Sequence, residues 1–515
     1  MVDGRYCYSL SSPSRLKGIA TLFGLTAIDP ARANILELGC GSGGNIIPLS
    51  ARFPNSTFVG VEPSLEKIDL AKKQSLDLNL DNIQFFNESI ADLDLGDEKF
   101  DYIIAPRLYS LASDGDQERI FEIMRDFLSP NGIAFVSYNT LPGWNSVKTL
   151  RDMMLFHGRN FNEPDLKVLE ARRMLKFVSD NFNGNDIPNK KLLEAEIKFI
   201  DTVPYEFVVD DYYGNSNDPC YFYKFMEKAN AKGLTYLADS DLPSMYLGNQ
   251  TVMAAETLKD IVDIVEQEQY VDFLTNRRYR STLLVKGTVK IERALTPKSA
   301  EGLHFIPAYK LTKPLEEIKE NLVDGLDLVN LQNPEQTASI SGEILSVCYL
   351  ELIKSSPVPQ SIEEIASAAC TVLKMIDKDA IRQALEENVL DFIFKGLLII
   401  TADQEDFGNV SNEKPEVFKA ARLDAPNRTN VPNMRHEMVQ LSGDQRILMQ
   451  YCTGENSKEA IFDAIKSHVL KGELTVKKDD VSVWSEGGDL EKHLPLYIDE
   501  QLEIFNYYAL LITSK

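Results

Sequence analysis

Two carboxylates and a run of glycines carry the densest chemistry in this 515-residue chain. Glu37, Gly39, Gly41, Gly43 and Asn45 stand within Ile35-Leu36-Glu37-Leu38-Gly39-Cys40-Gly41-Ser42-Gly43-Gly44-Asn45, and Glu62, Pro63 and Ser64 follow a second apolar run, Thr57 to Val61. Glycines let the backbone approach a ligand closely, and the helix start behind them offers unpaired N–H groups to polar or anionic atoms. The pattern is that of a nucleotide-type ligand site. Gly39, Gly41 and Gly44 also satisfy the G-x-G-x-x-G spacing of dinucleotide binders, a weak pattern on its own. Glu37 separates the two readings, because a carboxylate two residues before the first glycine repels a pyrophosphate and suits a cationic ligand. S-adenosylmethionine has an ammonium, a sulfonium and no phosphate, so its amino-acid end can meet Glu37 while its carboxylate meets glycine N–H groups. Glu62, about 20 residues beyond the glycines, is placed to take ribose hydroxyls in either cofactor class.

Methyl transfer from a sulfonium is an in-line displacement that asks the protein for position and a dry pocket, and no metal. If the acceptor is a lysine, its ammonium, with a reference pKa near 10.4, must lose a proton before attack. Tyr109, in Ala105 to Ser110, and Tyr138, Asn139 and Trp144, in Ser137 to Trp144, are the candidates on the acceptor side. An aromatic channel there would hold an aliphatic ammonium by cation–π attraction, worth roughly 0.5–2 kcal/mol. Each aromatic could equally be a packing residue where a strand turns into a helix. Ser89 and Ile90 stand where adenine would lie, the hydroxyl for its amine and the aliphatic chain for its ring. Tyr8 belongs to an aromatic N-terminal segment that folds over the cofactor as a lid or else pins the terminus. Cys40 reads as loop packing, since no histidine accompanies it.

These residues need a scaffold. From Asn34 to Pro142 strand and helix signals alternate: strands over 34–38, 57–62, 83–87, 100–105 and 132–138, helices over 46–52, 65–75 and 117–128. Such alternation is the mark of a parallel sheet covered by helices, with the strand tips gathered at one edge. Helical spacing resumes over 146–157 and 164–180, and 181–189 reads as a Gly/Asn/Pro loop. The aromatic and β-branched stretch Tyr205 to Tyr213 reads as a strand, and Asn217-Asp218-Pro219 as the cap of a helix through Ala231. Arg277-Arg278-Tyr279-Arg280 reads as a solvated approach to a strand, paired with local acids. Residues 340–402 follow the helix, helix, helix, strand order of a winged helix. The last helical patterns, at 442–452, 458–469 and 489–513, are broken by a polar stretch around Gly487-Gly488.

Lys and Arg number 54 against 78 Asp and Glu, a net charge of −24, which disfavours non-specific binding to nucleic acid or an anionic membrane. The winged-helix order is therefore better read as a protein-binding element. Neither the six cysteines nor the five histidines have ligand spacing, and no signal peptide or membrane span is apparent, so the expected compartment is the cytoplasm.

Several motifs together resemble class I methyltransferases fused to a methyltransferase regulatory domain. They are Glu37 to Asn45 with Glu62-Pro63-Ser64, Phe100 to Ala105, Tyr109-Ser110 and above all Ser137-Tyr138-Asn139-Thr140-Leu141-Pro142-Gly143-Trp144. Beyond the core, Arg151 to Leu155, Asn217 to Phe222, Gly233 to Leu237 and Asp272 to Arg278 resemble the regulatory domain, and Asn433-Met434-Arg435-His436-Glu437 its C-terminal companion. The members most similar are the rickettsial protein lysine methyltransferases. The chain departs from the family at Ser89-Ile90, where Asp-Leu is common, and at Arg107, where relatives carry a smaller residue. The resemblance implies a Rossmann-like α/β methyltransferase core followed by mostly α and α+β accessory domains. The expected divisions are a lid segment (1–33), the S-adenosylmethionine-binding core (34–160), a helical insertion suited to dimerisation (161–245), a regulatory middle domain (246–330) and a substrate-holding, winged-helix-like C-terminal domain (331–515). It also implies a cytoplasmic enzyme that methylates lysines of an outer-membrane protein before export. The alternatives are a methyltransferase for a small molecule or another protein atom, and a cofactor-binding scaffold without turnover.

Overall fold

The computed structural model describes residues 6–513 except 183–186, 204, 215, 319–321, 323–324, 332, 375–376, 403–406, 409, 475–476, 479–480 and 483–488. The polar stretch at Gly487-Gly488 and the middle of the 181–189 loop thus lie outside the described residues.

Five parallel strands come from the alternating N-terminal region: Asn34–Leu38 (β1), Thr57–Val61 (β2), Ile83–Phe86 (β3), Phe100–Ala105 (β4) and Leu128–Asn139 (β5). Apolar residues on both faces of β1, β2 and β4 explain their burial between helix layers. The first layer is Pro13–Leu22 (α1), Ile46–Arg52 (α2) and Leu65–Asp77 (α3), and Asp114–Phe127 (α4) covers the other face. Pro13 opens α1, and Ser64 and Ser113 cap α3 and α4 by accepting from Lys67 N and Asp116 N.

The sheet does not stop at residue 139. Leu234–Asp239 (β6) and Tyr279–Lys286 (β7) complete a seven-stranded sheet in the order β3-β2-β1-β4-β5-β7-β6, with β7 antiparallel to both β5 and β6. Because β7 runs backwards, its first residue, Tyr279, pairs with Asn139 at the tip of β5. Between β5 and β6 the chain forms Gly143–Gly158 (α5), Pro164–Asp180 (α6), Ile187–Thr202 (α7) and Tyr205–Tyr213 (α8), a helical unit with its own core. The expected strand at 205–213 is thus a helix. Val208 and Tyr212, both buried and four residues apart, lie on one helical face, so packing overrides the β propensity of the stretch. Phe222–Ala231 (α9), Val252–Leu258 (α10) and Ile264–Thr275 (α11) flank the added strands.

The rest of the chain packs against the α1–α3 face in one continuous core. It holds a small sheet of His304–Pro307 (β8), Gln360–Ser361 (β12) and Leu398–Thr401 (β13), and another of Tyr309–Leu311 (β9), Leu326–Asn330 (β10) and Thr337–Ile340 (β11). Helices Glu343–Ser355 (α12), Ile362–Leu373 (α13) and Lys378–Phe394 (α14) lie beside them. Then come Lys419–Asp424 (α15), a hairpin of Asn430–Pro432 (β14) and Met438–Gln440 (β15), Gly443–Tyr451 (α16), Lys458–Leu470 (α17) and Asp489–Tyr507 (α18). No helix among the described residues is long and apolar enough to cross a membrane.

The basic run before β7 is not the solvated approach its sequence suggests. Arg280 is buried, with Asp272 at 2.8 Å and Glu268 at 2.9 Å, and Arg277 reaches Asp272 at 2.9 Å. Arg278 pairs with Glu196 of α7 at 2.8 Å and lies over the Phe199 ring. The pairing with acids is as expected, but four carboxylates, at 196, 239, 268 and 272, are brought together to compensate the desolvated arginines. Removing one partner of such a buried cluster leaves charges without compensation. Arg280→Leu should therefore lower the unfolding free energy by about 3–5 kcal/mol, read as an earlier urea midpoint at unchanged slope.

Candidate functional site

The glycine loop after β1 is hooked over β2, with Gly39 N and Cys40 N both donating to Val61 O at 2.8 and 3.0 Å. Gly39, Gly41 and Gly43 all have positive φ, yet they do different things. A Cβ on Gly43 would strike Ile47 at 2.4 Å and one on Gly39 would meet Leu108 at 3.3 Å, so these two serve internal packing. A Cβ on Gly41 would meet nothing within 4 Å. The open space beside Gly41 is the face of the loop that a ligand can use.

Glu62 ends β2 beside that space. Its carboxylate accepts from Gly41 N and Ser64 N, each at 3.1 Å, and the Asn87 amide donates to Pro63 O at 2.9 Å, fixing the β2 and β3 tips. Ser64 caps α3, and Pro63 is exposed beside it. Ser89 donates its hydroxyl to Asp92 at 2.7 Å, which leaves its oxygen able to accept, and Ile90 is buried in the core beneath the sheet edge. Cys40 is buried with its thiol pushed well up, as loop packing requires.

Glu37 is almost fully buried at the end of β1, and its Oε2 has no hydrogen-bond partner. Burial pushes its carboxyl up to about 8, opposed by a hydrogen bond from Asn45. A carboxyl so raised is mostly neutral at pH 7 and ready for a cation. Asn45 is the hub beside it. Its Oδ1 accepts from Tyr8 N at 2.8 Å and from His436 Nε2 at 2.7 Å, and its Nδ2 donates to Ser11 Oγ at 3.2 Å. Because Tyr8 N–H can only donate, the Asn45 oxygen is fixed there, and His436 must carry its proton on Nε2. Burial, helped by Arg52, pushes His436 down to about 3, so the ring is neutral.

His436 comes from the β14–β15 hairpin nearly 400 residues away. Asn433 shapes its turn by accepting from Glu437 N at 2.8 Å and donating to Glu437 Oε2 and Tyr508 O, both at 2.9 Å. Sequence reasoning noted Asn433 to Glu437 as a motif but had no signal for its place, since a lone histidine has no spacing to read.

On the acceptor side the structure divides the four candidates. Asn139 donates to Asp211 Oδ1 at 3.3 Å, and Asp211 pairs with Arg107 at 2.9 Å. Arg107 stacks on Phe207 at 3.5 Å, Phe207 meets Tyr6 and Tyr8, and Tyr279 faces Arg107 and bonds Ser137. Tyr8, whose N–H donates to Asn45 and whose ring meets Phe207, joins this cluster to the Asn45 hub beside Glu37. Tyr138 and Tyr109 are not part of it. Tyr138 is wholly buried, stacked on Phe225 at 4.2 Å and bonded to Thr282 at 3.0 Å, while Tyr109 meets Tyr138 and Phe225 edge-on and Phe121 at a tilt. Trp144 sits in the core of the helical unit, 5.7 Å from Tyr212, with Arg278 as the cation at its ring. All three hold elements together, the packing alternative their sequence left open.

Comparison with known proteins gives this arrangement a family. Residues 35–132 match a methyltransferase domain, 206–286 a predicted methyltransferase regulatory domain and 413–510 the C-terminal winged helix domain of PKMT. An uncharacterized protein of Rickettsia prowazekii is 34% identical over 510 residues, 98% of this chain and 92% of that protein. The structure of PKMT2 from Rickettsia typhi superposes with a TM-score of 0.88 at 30% identity, covering 98% of this chain and 99% of that one. A second structure of PKMT2, in complex with AdoHcy, matches at 31% identity with the same TM-score.

The chain belongs to the rickettsial protein lysine methyltransferases.

The matched winged helix lies at 413–510, inside the winged-helix-like C-terminal domain expected over 331–515 and beyond the 340–402 stretch whose element order suggested one. Residues 340–402 do form three helices and a strand, but those features alone did not mark the matched domain. S-adenosylmethionine, the methyl donor of this family, fits the residues present: the open face of Gly41 would admit it, the orphan oxygen of Glu37 would meet its ammonium, and Glu62 would meet its ribose.

A ligand ammonium favours the ionised form of Glu37, so binding expels its proton. Affinity for S-adenosylhomocysteine should rise on the order of tenfold from pH 6 to 7.5 and then level off near pH 8, with a flat, weaker profile for Glu37→Gln. The same raised carboxyl stabilises the free protein fully below its unfolded value, near 4.3, and that contribution is lost as pH rises through about 8. Gly41→Val should abolish binding at every pH. Calorimetry checks both.

Proposed function

We propose that this chain transfers the methyl group of S-adenosylmethionine to lysine side chains of a protein, and that the acceptor is a bacterial outer-membrane protein modified in the cytoplasm before export. The observation that carries the reading is the buried, unpaired carboxylate of Glu37 beside the open face of Gly41, in a chain that matches the family from end to end. Roughly 350 residues beyond a minimal cofactor domain also exceed what a small acceptor needs. We further propose that the chain is a homodimer through the helical unit. Phe156, Leu166, Leu169 and Phe177 are exposed on α5 and α6, and sedimentation equilibrium would detect the pair.

The bound cofactor supplies an electrophilic methyl group, whose bond to sulfur breaks as its bond to the lysine nitrogen forms. The residues of the chain make that nitrogen available. Tyr6, Tyr8 and Phe207 pack ring against ring beside the acceptor path, and the desolvation they bring disfavours an ammonium. Arg107 stands beside them paired with Asp211 at 2.9 Å, and an arriving lysine sheds its proton to solvent as it is desolvated. Burial pushes the Tyr8 and Tyr279 hydroxyls well up, which keeps both neutral. A neutral phenol is not a base here but can accept the remaining N–H and align the lone pair.

Tyr279→Phe and Tyr8→Phe should each lower kcat for a lysine-containing acceptor on the order of 10²-fold, with little change in S-adenosylhomocysteine affinity for Tyr279→Phe. Tyr138→Phe should leave kcat unchanged and lower stability by about 1 kcal/mol through its lost bond to Thr282. Methylation of small lysate metabolites in preference to lysine peptides, or cofactor binding without any released S-adenosylhomocysteine, would contradict the reading.

A further inference from the structure

A groove of about 490 Å³ lies between α9 and α11, outside the cofactor cleft. Ligand sites commonly fall in the range of roughly 300–1,000 Å³. Its walls are aromatic and acidic at once. Tyr223, Tyr270 and Phe273 line it with exposed rings, and Asp263 and Glu266 stand among them. Phe273 meets Tyr270 and Tyr221 edge-on, at 6.3 and 5.8 Å, and Tyr221 stacks on Tyr223 at 5.9 Å, so the rings form one surface. The Lys224 ammonium lies 6.0 Å from the outer side of Tyr223, the kind of partner these rings accept.

Gln269, nine-tenths buried in the groove wall, has its Oε1 fixed by Tyr223 N at 3.1 Å, which braces α9 against α11. The groove also adjoins the catalytic edge. Cys220, one residue before Tyr221, accepts from Leu141 N at 3.0 Å and Thr140 Oγ1 at 2.8 Å, which ties the groove rim to the tip of β5.

We propose that this groove binds a second basic residue of the acceptor polypeptide, holding one lysine or arginine side chain while another lysine is methylated. The occupant follows from charge. Aromatic faces beside the carboxylates of Asp263 and Glu266 select an alkyl ammonium or guanidinium on an otherwise neutral or basic segment. The proposal rests on the protein lysine methylation proposed above and gives that activity a preference for acceptors with several basic residues.

The test uses the full-length protein with two serine-rich peptides, one with a single lysine and one with lysines at several spacings, and follows binding by fluorescence anisotropy and turnover by S-adenosylhomocysteine release. Phe273→Ala and Glu266→Gln should each weaken binding of the multi-lysine peptide and raise its KM about tenfold, with kcat, S-adenosylhomocysteine affinity and all constants for the single-lysine peptide unchanged. Asp263→Asn, which keeps the helix cap, should act in the same direction. If Phe273→Ala fails to fold, Glu266→Gln carries the test. Equal constants for wild type and Glu266→Gln with the multi-lysine peptide would overturn the groove while leaving lysine methylation intact. Equal losses with both peptides, or a changed sedimentation coefficient in the variants, would also overturn it, the latter by making the face a contact between copies. Groove-dependent binding without methylation of either peptide would instead contradict the activity and support the site.

Discussion

A carboxylate denied both water and a cation is the constraint on which the rest of this protein depends. Glu37 is fixed by β1 at the point where the sheet ends, and the glycine bend that follows closes it from solvent while leaving room beside Gly41. Only Asn45 moderates the cost of that burial, and Asn45 is itself held from three directions: by Tyr8, by Ser11 and by His436. The N-terminal segment, the methyltransferase core and the C-terminal domain therefore converge on one amide. Because His436 is neutral and donates from a rigid turn, the hub keeps its geometry across the working pH range.

The accessory regions do more than surround this core. Two of their strands complete the central sheet, and the antiparallel run of β7 brings Tyr279 to the catalytic edge, where a purely parallel sheet would have placed a strand end. The helical unit returns Phe207 and Asp211 to Arg107, so the cluster around Arg107 is built from five separate stretches of chain. The buried ion pairs of Arg277, Arg278 and Arg280 lock the regulatory segment to the helical unit and to β6. Such pairs add less stability than register, because each charge must be desolvated before it is paired.

What could be read from the sequence was local. The alternation of apolar runs with helix signals marked β1 to β5 to within a few residues, since each buried strand is a short apolar run bounded by turn residues. The bend around Gly41 was legible because a tight turn needs glycines at fixed spacing, and Glu37 and Glu62 stand at the strand tips that flank it. The long-range partners had no such signature. Nothing in Leu234 to Asp239 says that it joins a sheet finished 95 residues earlier, and nothing around His436 points to Asn45. Tyr138 and Trp144 were singled out because aromatic residues at a strand tip suit a cation, but packing against Phe225 and Tyr212 uses the same residue types. The helix at 205–213 followed the same rule, with burial of Val208 and Tyr212 deciding against their β preference.

The most direct test is to observe the Glu37 carboxyl itself. With the glutamate side chains labelled at Cδ, a carbon-13 NMR titration of the free protein should show one resonance, absent in Glu37→Gln, titrating near pH 8, and saturating S-adenosylhomocysteine should move that midpoint below pH 6. A midpoint near 4.3 in the free protein, or one near 8 that the ligand leaves in place, would mean that Glu37 does not receive the ammonium and that the cofactor site has been wrongly built around it.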